Sequence, residues 1–311
     1  MKLFRFGVNL RSAASRAEWQ DKARKVEALG YASLTVPDHL TELIAPFPAL
    51  VSAAAVTNRI ELGTHVLNND LRHPVLVARE AAAVDLLSDG RFQLGMGAGS
   101  IRAEYEEAGL HFDRGRERVE HLAEAITVIK ALLRGERVNF SGRHYRISEH
   151  IIAPLPIRRP HPPILIGGNG PRLLELAARE ADIVGLSGIT FRGGGSRPPD
   201  LSGWRVTAVD ERVNLVRRAA GERFEHLEIC VLLQRVIATD DRQSTAAELA
   251  QRWVDLTADE ILQSPYVLIG TLEQMNEDLK MRRQRWGISY CVVQEPYLDA
   301  LAPVVGRLAG Q

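Results

Sequence analysis

Apolar and polar residues alternate along most of the chain in two rhythms, which predict strands and helices in turn. Short apolar runs predict eight strands, at residues 4–9, 33–36, 60–67, 92–96, 164–167, 182–186, 227–238 and 288–293. Apolar residues at helical spacing follow, at residues 16–29, 47–57, 74–87, 115–133, 172–179, 206–219, 271–285 and 298–308, with two short helical pieces within 244–263. The chain is therefore an α/β protein built from repeated strand–helix units.

Two segments interrupt this alternation. Residues 138–147 resemble a small hairpin before strand 5, and residues 189–203 after strand 6 are rich in Gly and Pro and show no periodicity. Eight strand–helix units without a split predict a (β/α)₈ TIM barrel with these two insertions, as one domain over residues 1–311. A doubly wound open sheet is the alternative.

Composition excludes several functional classes. The 39 basic and 39 acidic residues cancel, so charge gives no reason to expect nucleic acid or an anionic membrane as a partner. The sequence has no apolar run near the ~20 residues of a membrane span, and its first residues do not form a secretory signal. Cys230 and Cys291 lie in apolar runs and are expected to be buried thiols. We therefore expect a cytoplasmic protein.

The active site of such a barrel lies at the C-terminal ends of its strands. The candidate residues at these ends are Asn9, Asp38, His39, His65, Gly97, Ala98, Gly99, Ser100, Gly167, Gly168, Asn169, Gly170, Gln294 and Glu295. The topology predicts that they converge on one barrel mouth.

The segment GGNG, residues 167–170, ends a strand and directly precedes a helix. Glycines let a ligand approach backbone N–H groups, and a helix N-terminus carries partial positive charge, so this loop suits a phosphate. It also suits an ordinary turn. The segment GMGAGS after strand 4 lacks the third glycine of a dinucleotide fingerprint and is a weak Rossmann signal.

The pair Asp38-His39 also has two interpretations. It can be a hydrogen-bonded structural pair, or it can supply a proton donor, because histidine titrates near neutral pH. We expect no metal, because the histidines do not follow a metal-binding spacing such as H-E-x-x-H. Ser100 is not in a G-x-S-x-G elbow, so nucleophilic hydrolysis has no support.

Five segments together resemble the luciferase-like superfamily, and within it the branch that uses the deazaflavin coenzyme F420. They are FGVN, ALGYASLTVPDH, RIELGTHVLNNDLRHPVLVAREAAAVDLLSDGRFQLGMGAGS, ERVEHLAEAITVIKALLRGERVNFSGRHYRI and PPILIGGNGPRLLELAAREADIVGL, in the family order. The third is the most specific. The resemblance covers residues 4–186 well, weakens through 190–264 and returns at YVLIGTLEQMNEDLK.

The resemblance implies where a cofactor would lie. The family often has a non-prolyl cis peptide behind the ring, which matches His65 and Val66 here. Backbone amides of the loop from Gly167 to Gly170 would hold the phosphate, and residues 97–100 would also approach the cofactor. The family's acid–base histidine and its aspartate partner match His39 and Asp38.

Departures from the family pattern limit the functional prediction. Sugar-phosphate dehydrogenases of the family carry a glutamate where this chain has Ser100 and an asparagine where it has Ala103, although Glu104-Tyr105 matches. Oxidation of a sugar phosphate by their proposed mechanism is therefore in doubt.

The leading prediction is an F420-dependent oxidoreductase that transfers a hydride to or from a small organic molecule. The alternatives are an FMN-dependent monooxygenase with a separate reductase and a non-catalytic flavin or deazaflavin carrier. Asn9, Gln294 and Glu295 are candidate substrate contacts. The loop at residues 189–203 is either a lid or a surface loop, and Arg192, Arg197 and Arg205 either meet the cofactor's anionic tail or lie in solvent. Family members are often dimers, which leaves a homodimer open.

Overall fold

A computed structural model describes residues 2–191 and 198–311, and within them thirteen strands and eleven α-helices. The strands are β1 (Arg5–Asn9), β2 (Ser33–Val36), β3 (Glu61–Thr64), β4 (Leu67–Asn68), β5 (Phe92–Gly97), β6 (Val138–Ser141), β7 (Arg146–His150), β8 (Ile164–Gly168), β9 (Ile183–Leu186), β10 (Glu228–Leu233), β11 (Arg235–Ala238), β12 (Val267–Gly270) and β13 (Ile288–Gln294). The helices are α1 (Arg16–Ala28), α2 (Pro46–Ala54), α3 (Pro74–Leu87), α4 (Arg102–Glu107), α5 (Gly115–Leu133), α6 (Pro171–Glu180), α7 (Val206–Ala220), α8 (Arg242–Arg252), α9 (Ala258–Gln263), α10 (Leu272–Trp286) and α11 (Leu298–Leu308).

Eight parallel strands close into a barrel. Their order around the ring is β1, β2, β3, β5, β8, β9, β10 and β13, and β13 pairs with both β10 and β1. Closure leaves these strands without a free edge. The predicted (β/α)₈ barrel is confirmed, and the alternative of an open sheet is wrong.

The barrel strands are apolar because helices cover the outside and side chains fill the inside. Every residue of β2 and of β9 is buried, as expected of parallel strands covered on both faces. Leu165, Cys230 and Tyr290 pack within one interior cluster. At the N-terminal end, Arg5 donates hydrogen bonds to Glu228 at 2.9 Å and to Glu61 at 2.8 Å. These ion pairs close the N-terminal end of the barrel. The mouth with the candidate site residues is at the C-terminal ends of the strands.

Local sequence sets several helix ends. The Thr271 hydroxyl accepts a hydrogen bond from the Gln274 backbone N–H, and the Gln274 side chain accepts one from the Thr271 backbone in return, which starts α10. Gly287 ends the same helix in the left-handed conformation that glycine adopts without strain. In the described part of the chain, no helix is both long and apolar enough to span a membrane.

The structure differs from the sequence prediction at four places. The predicted third strand is interrupted at His65, so that β3 and β4 each pair separately with β5. The predicted seventh strand is two strands, because β11 leaves the barrel after Gln234 and pairs with β12. Two polar residues, Gln234 and Arg235, stand at this break between apolar runs. The helix α4 and the strand β12 were not predicted. The hairpin β6–β7 is confirmed.

Candidate active site

A cavity of about 660 Å³ opens at the C-terminal ends of the barrel strands. Thirteen of the residues predicted from the sequence line it, namely Asp38, His39, His65, Val66, Gly97, Ala98, Gly99, Ser100, Gly167, Gly168, Asn169, Gly170 and Gln294. The fold therefore brings together segments that are up to 256 residues apart, from 38 to 294, as the barrel topology requires.

One wall of the cavity consists of Val66 packed over glycines of neighbouring strands. The His65–Val66 peptide is cis, as expected from the family resemblance. A methyl group added at Gly97 would lie 2.6 Å from Val66 Cγ2, and one added at Gly167 would lie 3.1 Å from Val66 Cγ1. Because carbon atoms pack at about 3.5–4.0 Å, a side chain at Gly97 would displace Val66, and one at Gly167 would crowd it. We call Val66, Gly97 and Gly167 the platform.

His65 lies beside the platform with an unusual environment for its ring. Its Nε2 is 3.9 Å from the Cys230 sulfur, and its Nδ1 is shielded from solvent without a hydrogen-bond partner in the described protein. Burial lowers the pKa of His65 to about 4, so the imidazole is neutral at pH 7. Burial also raises the pKa of the Cys230 thiol well above its usual value. This pair is therefore uncharged, and the free Nδ1 is available to a ligand.

The glycine loop after β8 leads directly into the first turn of α6. Gly170 is the N-cap residue and offers no side chain to the first-turn N–H groups, and Pro171 follows at the first helical position. A methyl group added at Gly170 would meet open space, whereas one at Gly168 would overlap Leu173. The side chain of Arg172 also lines the cavity. This helix end can accept an anion such as a phosphate.

Asn169 connects this loop to the long segment after β9. Its side-chain amide donates to Thr190 Oγ1 at 2.9 Å and to the Ile189 carbonyl at 3.4 Å. Thr190 and Asp200 form an antiparallel bridge through backbone hydrogen bonds of 3.1 and 2.9 Å. We call residues 189–191 and 198–203 the neck. Residues 192–197, including Arg192 and Arg197, lie outside the described residues.

Arg205 follows the neck and has protein partners of its own. Its guanidinium donates to Glu260 Oε1 at 2.9 Å and to the Asp255 carbonyl at 2.7 Å. It therefore fastens the start of α7 to α9 and to the segment that precedes α9. Both contacts are within the protein and Arg205 does not line the cavity, so neither contact supports its interpretation as part of a site for a cofactor tail, which stays untested.

His39 has a buried carboxylate partner, which is Glu104 on α4. The distance from His39 Nδ1 to Glu104 Oε1 is 2.8 Å, and Glu104 Oε2 accepts the Leu40 backbone N–H at 3.3 Å. The Glu104 side chain is 5% exposed, whereas the His39 side chain is 39% exposed. An ionised carboxylate only accepts hydrogen bonds, so Nδ1 carries the proton and Nε2 is left with a lone pair or a second proton.

Asp38 is not the partner of His39, which corrects the sequence prediction. Its carboxylate forms a two-point ion pair with the Arg72 guanidinium, one contact of which is 3.0 Å long, and accepts the Asn68 backbone N–H at 3.0 Å. The Asp38 side chain is 4% exposed. Both of its carboxylate oxygens accept hydrogen bonds from structural donors, so Asp38 holds β4 against the end of β2.

Sequence reasoning overlooked two residues that shape the site. Glu104 was noted only as a match to the family, because nothing local connects it to His39, 65 positions earlier. Arg118 on α5 donates to the Ala98 carbonyl at 3.0 Å and stacks on Phe112 at 4.0 Å, so it supports the loop after β5. Both residues lie on the two helices that follow β5, and this position is the signal that could have found them.

The three candidate substrate contacts have different positions. Gln294 lines the cavity, and its Oε1 is buried without a partner in the described protein. Asn9 lies below the mouth, 3% exposed, where it accepts a hydrogen bond from Thr35 at 3.1 Å. Glu295 pairs with Lys22 at 2.7 Å and accepts the Arg11 N–H at 3.1 Å. Asn9 and Glu295 are thus structural, and only Gln294 remains a candidate.

No metal centre is found in the described residues. No group of three or more His, Cys, Asp or Glu side chains there is arranged to hold a metal ion. The groups that line the cavity include backbone amides, a neutral imidazole, the His39–Glu104 pair and arginines at the starts of α5 and α6.

Sequence comparison identifies the family. The family model described as luciferase-like monooxygenase matches residues 1–287, and the chain belongs to this family. The family prediction made from the sequence motifs is confirmed.

Similar curated proteins include three dehydrogenases. The F420-dependent glucose-6-phosphate dehydrogenase of Nakamurella multipartita is 31% identical over 248 residues, which cover 77% of this chain and 69% of that protein. The enzyme of the same name from Beutenbergia cavernae is 37% identical over 166 residues, and that from Microbacterium testaceum is 35% identical over 164 residues. These two matches cover 50% of this chain and 48% of each relative, so the chain matches about half of their length.

Similar solved structures share the fold over nearly the whole chain. The F420-dependent tetrahydromethanopterin reductase of Methanopyrus kandleri superimposes with a TM-score of 0.77 at 17% identity and covers 99% of both chains. A monooxygenase from Streptomyces bottropensis gives a TM-score of 0.73 at 23% identity and covers 98% of this chain and 97% of its own. At these identities the likeness shows the fold alone.

Proposed function

We propose that this protein is an F420-dependent oxidoreductase that transfers a hydride between the deazaflavin and a small organic substrate. The observation that carries the proposal is the His39–Glu104 pair at the mouth of a cavity walled by glycines. The named relatives at 31–37% identity are F420-dependent, which supports this cofactor. Bound F420 would supply the carbon that donates or accepts a hydride.

The residues present fit this cofactor. The first turn of α6 and the loop from Gly167 to Gly170 would hold the phosphate through backbone N–H groups. The platform offers an apolar surface for a flat ring, and the unpartnered Nδ1 of His65 offers a hydrogen bond at its margin. Both features come from residues that the family resemblance assigns to cofactor binding.

His39 would move the proton that accompanies the hydride. Glu104 fixes the ring orientation and keeps the proton on Nδ1, so that Nε2 is the group that exchanges a proton with the substrate oxygen. In oxidation of an alcohol, Nε2 would accept the proton of the hydroxyl group, and bound F420 would supply the acceptor for the hydride from the carbon. In reduction of a carbonyl, both transfers are reversed. Asp38 takes no part in this step.

An FMN-dependent monooxygenase is the second candidate, because the family description and a structural neighbour are both of monooxygenases. A non-catalytic carrier is less well supported, because a carrier has no use for the pairing of His39 with a buried carboxylate. Titration with F420 and with FMN, followed by cofactor fluorescence, separates the first two candidates. Saturable F420 binding with much weaker FMN binding supports the proposal, and the reverse preference contradicts it.

Two variants test the roles of the pair. His39→Ala is expected to reduce turnover far more than F420 affinity. In Glu104→Gln, only one oxygen is left to accept hydrogen bonds. The Leu40 N–H and the His39 Nδ1–H, which bind different oxygens of Glu104, then compete for it. Loss of a charge-assisted hydrogen bond, roughly 1.5–3 kcal/mol, predicts a kcat about 10- to 100-fold lower.

The matched control for these variants is His111→Ala. The His111 ring is 85% exposed and pairs with Asp113 at 3.1 Å on the surface. It should leave both kcat and the Kd for F420 unchanged. Parallel losses of turnover and F420 affinity in His39→Ala would contradict the catalytic assignment, because a proton-transfer group acts on the reaction and not on cofactor binding.

A further inference from the structure

The helix α4, which carries Glu104, is too short to hold its own position. It has six residues, and its N-cap residue Ile101 forms no side-chain hydrogen bond to the first turn. Helices of this length are unstable in isolation, so contacts with the rest of the protein must fix α4. Its two buried residues are Glu104 itself and the next residue, Tyr105, and the other four are exposed. Tyr105 is therefore the buried side chain that can place Glu104.

The Tyr105 hydroxyl connects α4 to the segment that runs from β4 to Asp70. Its oxygen is 2.9 Å from Asn68 Oδ1 and 3.0 Å from Asp70 Oδ2. Burial, and after it the charge of Asp70, raise the pKa of the hydroxyl above its usual value, so the hydroxyl keeps its proton and donates it. A methyl group added at Gly99, in the cavity wall, would overlap the hydroxyl oxygen. This contact thus lies directly behind the cavity.

Asn68 also binds the residue that precedes His39. Its backbone N–H donates to Asp38 Oδ2 at 3.0 Å, while its side-chain oxygen accepts from Tyr105. His39 and Glu104 then meet at 2.8 Å. Hydrogen bonds and peptide bonds together form a closed ring of five residues, which we call the positioning ring, namely Asn68, Asp38, His39, Glu104 and Tyr105. One residue, Asn68, therefore sets the position of both members of the His39–Glu104 pair.

We infer, on the basis of the proposed function, that Tyr105 is a positioning residue for proton transfer by His39. It acts through Glu104, because its hydroxyl fixes α4 and α4 presents the carboxylate to His39 Nδ1. The carboxylate keeps the proton on Nδ1 and leaves Nε2 for the substrate. A neutral imidazole without such a partner carries its proton on either nitrogen. Loss of the Tyr105 hydroxyl therefore allows the wrong tautomer of His39.

The variant Tyr105→Phe removes the hydroxyl and keeps the buried ring. It leaves Asn68 Oδ1 with a donor, the Asp70 backbone N–H at 3.2 Å, so we expect it to fold. The tautomer of His39 is measured above neutral pH from the nitrogen-15 chemical shifts of histidine-labelled protein, and its resonances are assigned by their loss in His39→Ala. We expect one tautomer, protonated at Nδ1, in the wild type and a mixture in Tyr105→Phe. The measurement needs no cofactor.

Turnover shows whether Tyr105 acts through Glu104. It is measured in protein loaded with F420, with whichever of glucose 6-phosphate and 2-butanol the wild type oxidises. Tyr105→Phe should lower kcat about 3- to 10-fold, as the loss of one hydrogen bond predicts, and leave the Kd for F420 unchanged. In the Glu104→Gln background it should cause no further loss, because the carboxylate through which it acts is already absent.

The matched control is Tyr145→Phe. The Tyr145 hydroxyl accepts a hydrogen bond from Asn69 Nδ2 at 3.3 Å, so this variant removes a phenol from the same segment without touching α4. It should leave the His39 tautomer and kcat unchanged. If urea unfolding shows that Tyr105→Phe does not fold, Asn68→Ala removes the acceptor of the same hydrogen bond and is measured in the same way.

The outcomes separate the inference from the proposed function. If His39 keeps a single tautomer in Tyr105→Phe, the inference is overturned and the proposed function stands. The same holds if the losses of kcat in Tyr105→Phe and Glu104→Gln multiply, since independent effects do so. If F420 does not bind, the proposed function fails, and the tautomer measurement still decides whether Tyr105 positions the pair.

Discussion

Gly97 makes room for Val66, and this contact can be tested by adding one methyl group. In Gly97→Ala, the new carbon would lie 2.6 Å from Val66 Cγ2, while its next neighbours, the Gly167 and Leu67 carbonyl oxygens, are at 3.4 and 3.8 Å. Only Val66 must move, by about 1 Å to reach normal contact. Overpacking of this kind costs about 1–3 kcal/mol of unfolding free energy. If Val66 supports the ring, the affinity for F420 falls as well.

The clash is with a side chain, so a second substitution should relieve it. Val66→Ala removes the atom that the new methyl group meets. The double variant should then be more stable than the sum of the two single effects, by about 0.5–3 kcal/mol. Stability is measured by urea unfolding, and F420 affinity by fluorescence titration of the same four proteins.

Gly95 provides the matched control for this cycle. A methyl group there would overlap the backbone oxygen of Thr64, which Val66→Ala does not remove. Gly95→Ala should therefore be destabilising with or without Val66→Ala. If the stability effects of Gly97→Ala and Val66→Ala simply add, Val66 is not held over these glycines as described. The same conclusion follows if Val66→Ala restores stability to Gly95→Ala as much as to Gly97→Ala.

Two further predictions concern stability. Asp38→Asn should lower the unfolding free energy by about 3 kcal/mol, because it leaves the Arg72 guanidinium without its buried counter-ion. The control is Asp299→Asn, since the Asp299 side chain is 71% exposed beside Lys25. It should change the unfolding free energy by less than about 0.5 kcal/mol in the same urea titration. His65 has a pKa of about 4 in the folded protein against 6.5 in the unfolded chain, so acidification protonates the unfolded chain first. The unfolding free energy should fall from about pH 6.5 towards pH 4, by up to about 3 kcal/mol. His65→Gln should flatten this decline. If the variant and the wild type lose the same unfolding free energy over this pH range, the burial of the ring is refuted.

The sequence predicted those parts of the fold that depend on local pattern. The helix α5 begins and ends where its apolar spacing does, and α6 begins at Pro171, a residue that suits the first helical position. The split of β10 from β11 was missed because only two polar residues, Gln234 and Arg235, interrupt the apolar run at the break. The helix α4 was missed because its six residues are too few to show a helical period.

The site was predictable in its membership and less so in its pairings. Strand ends identify which residues reach the mouth, because parallel strands of a barrel point the same way. They do not identify which carboxylate meets His39, since Asp38 is adjacent in sequence and Glu104 is 65 positions away. The side chain of Asp38 points to Arg72 instead, and Arg72 also comes from a distant segment. Such partners are set by tertiary packing.

The two sides of the barrel mouth are formed by different kinds of chemical group. Between β3 and β8, the cavity wall includes Val66 packed over glycines, where an added side chain would crowd its neighbours. From β10 through β13, it is shaped by interchangeable side chains on strands whose backbones are already paired. For protein engineering, this makes the barrel modular: Leu232, Gln234 and Gln294 can be varied together in a library without disturbing the glycine surface on the far side.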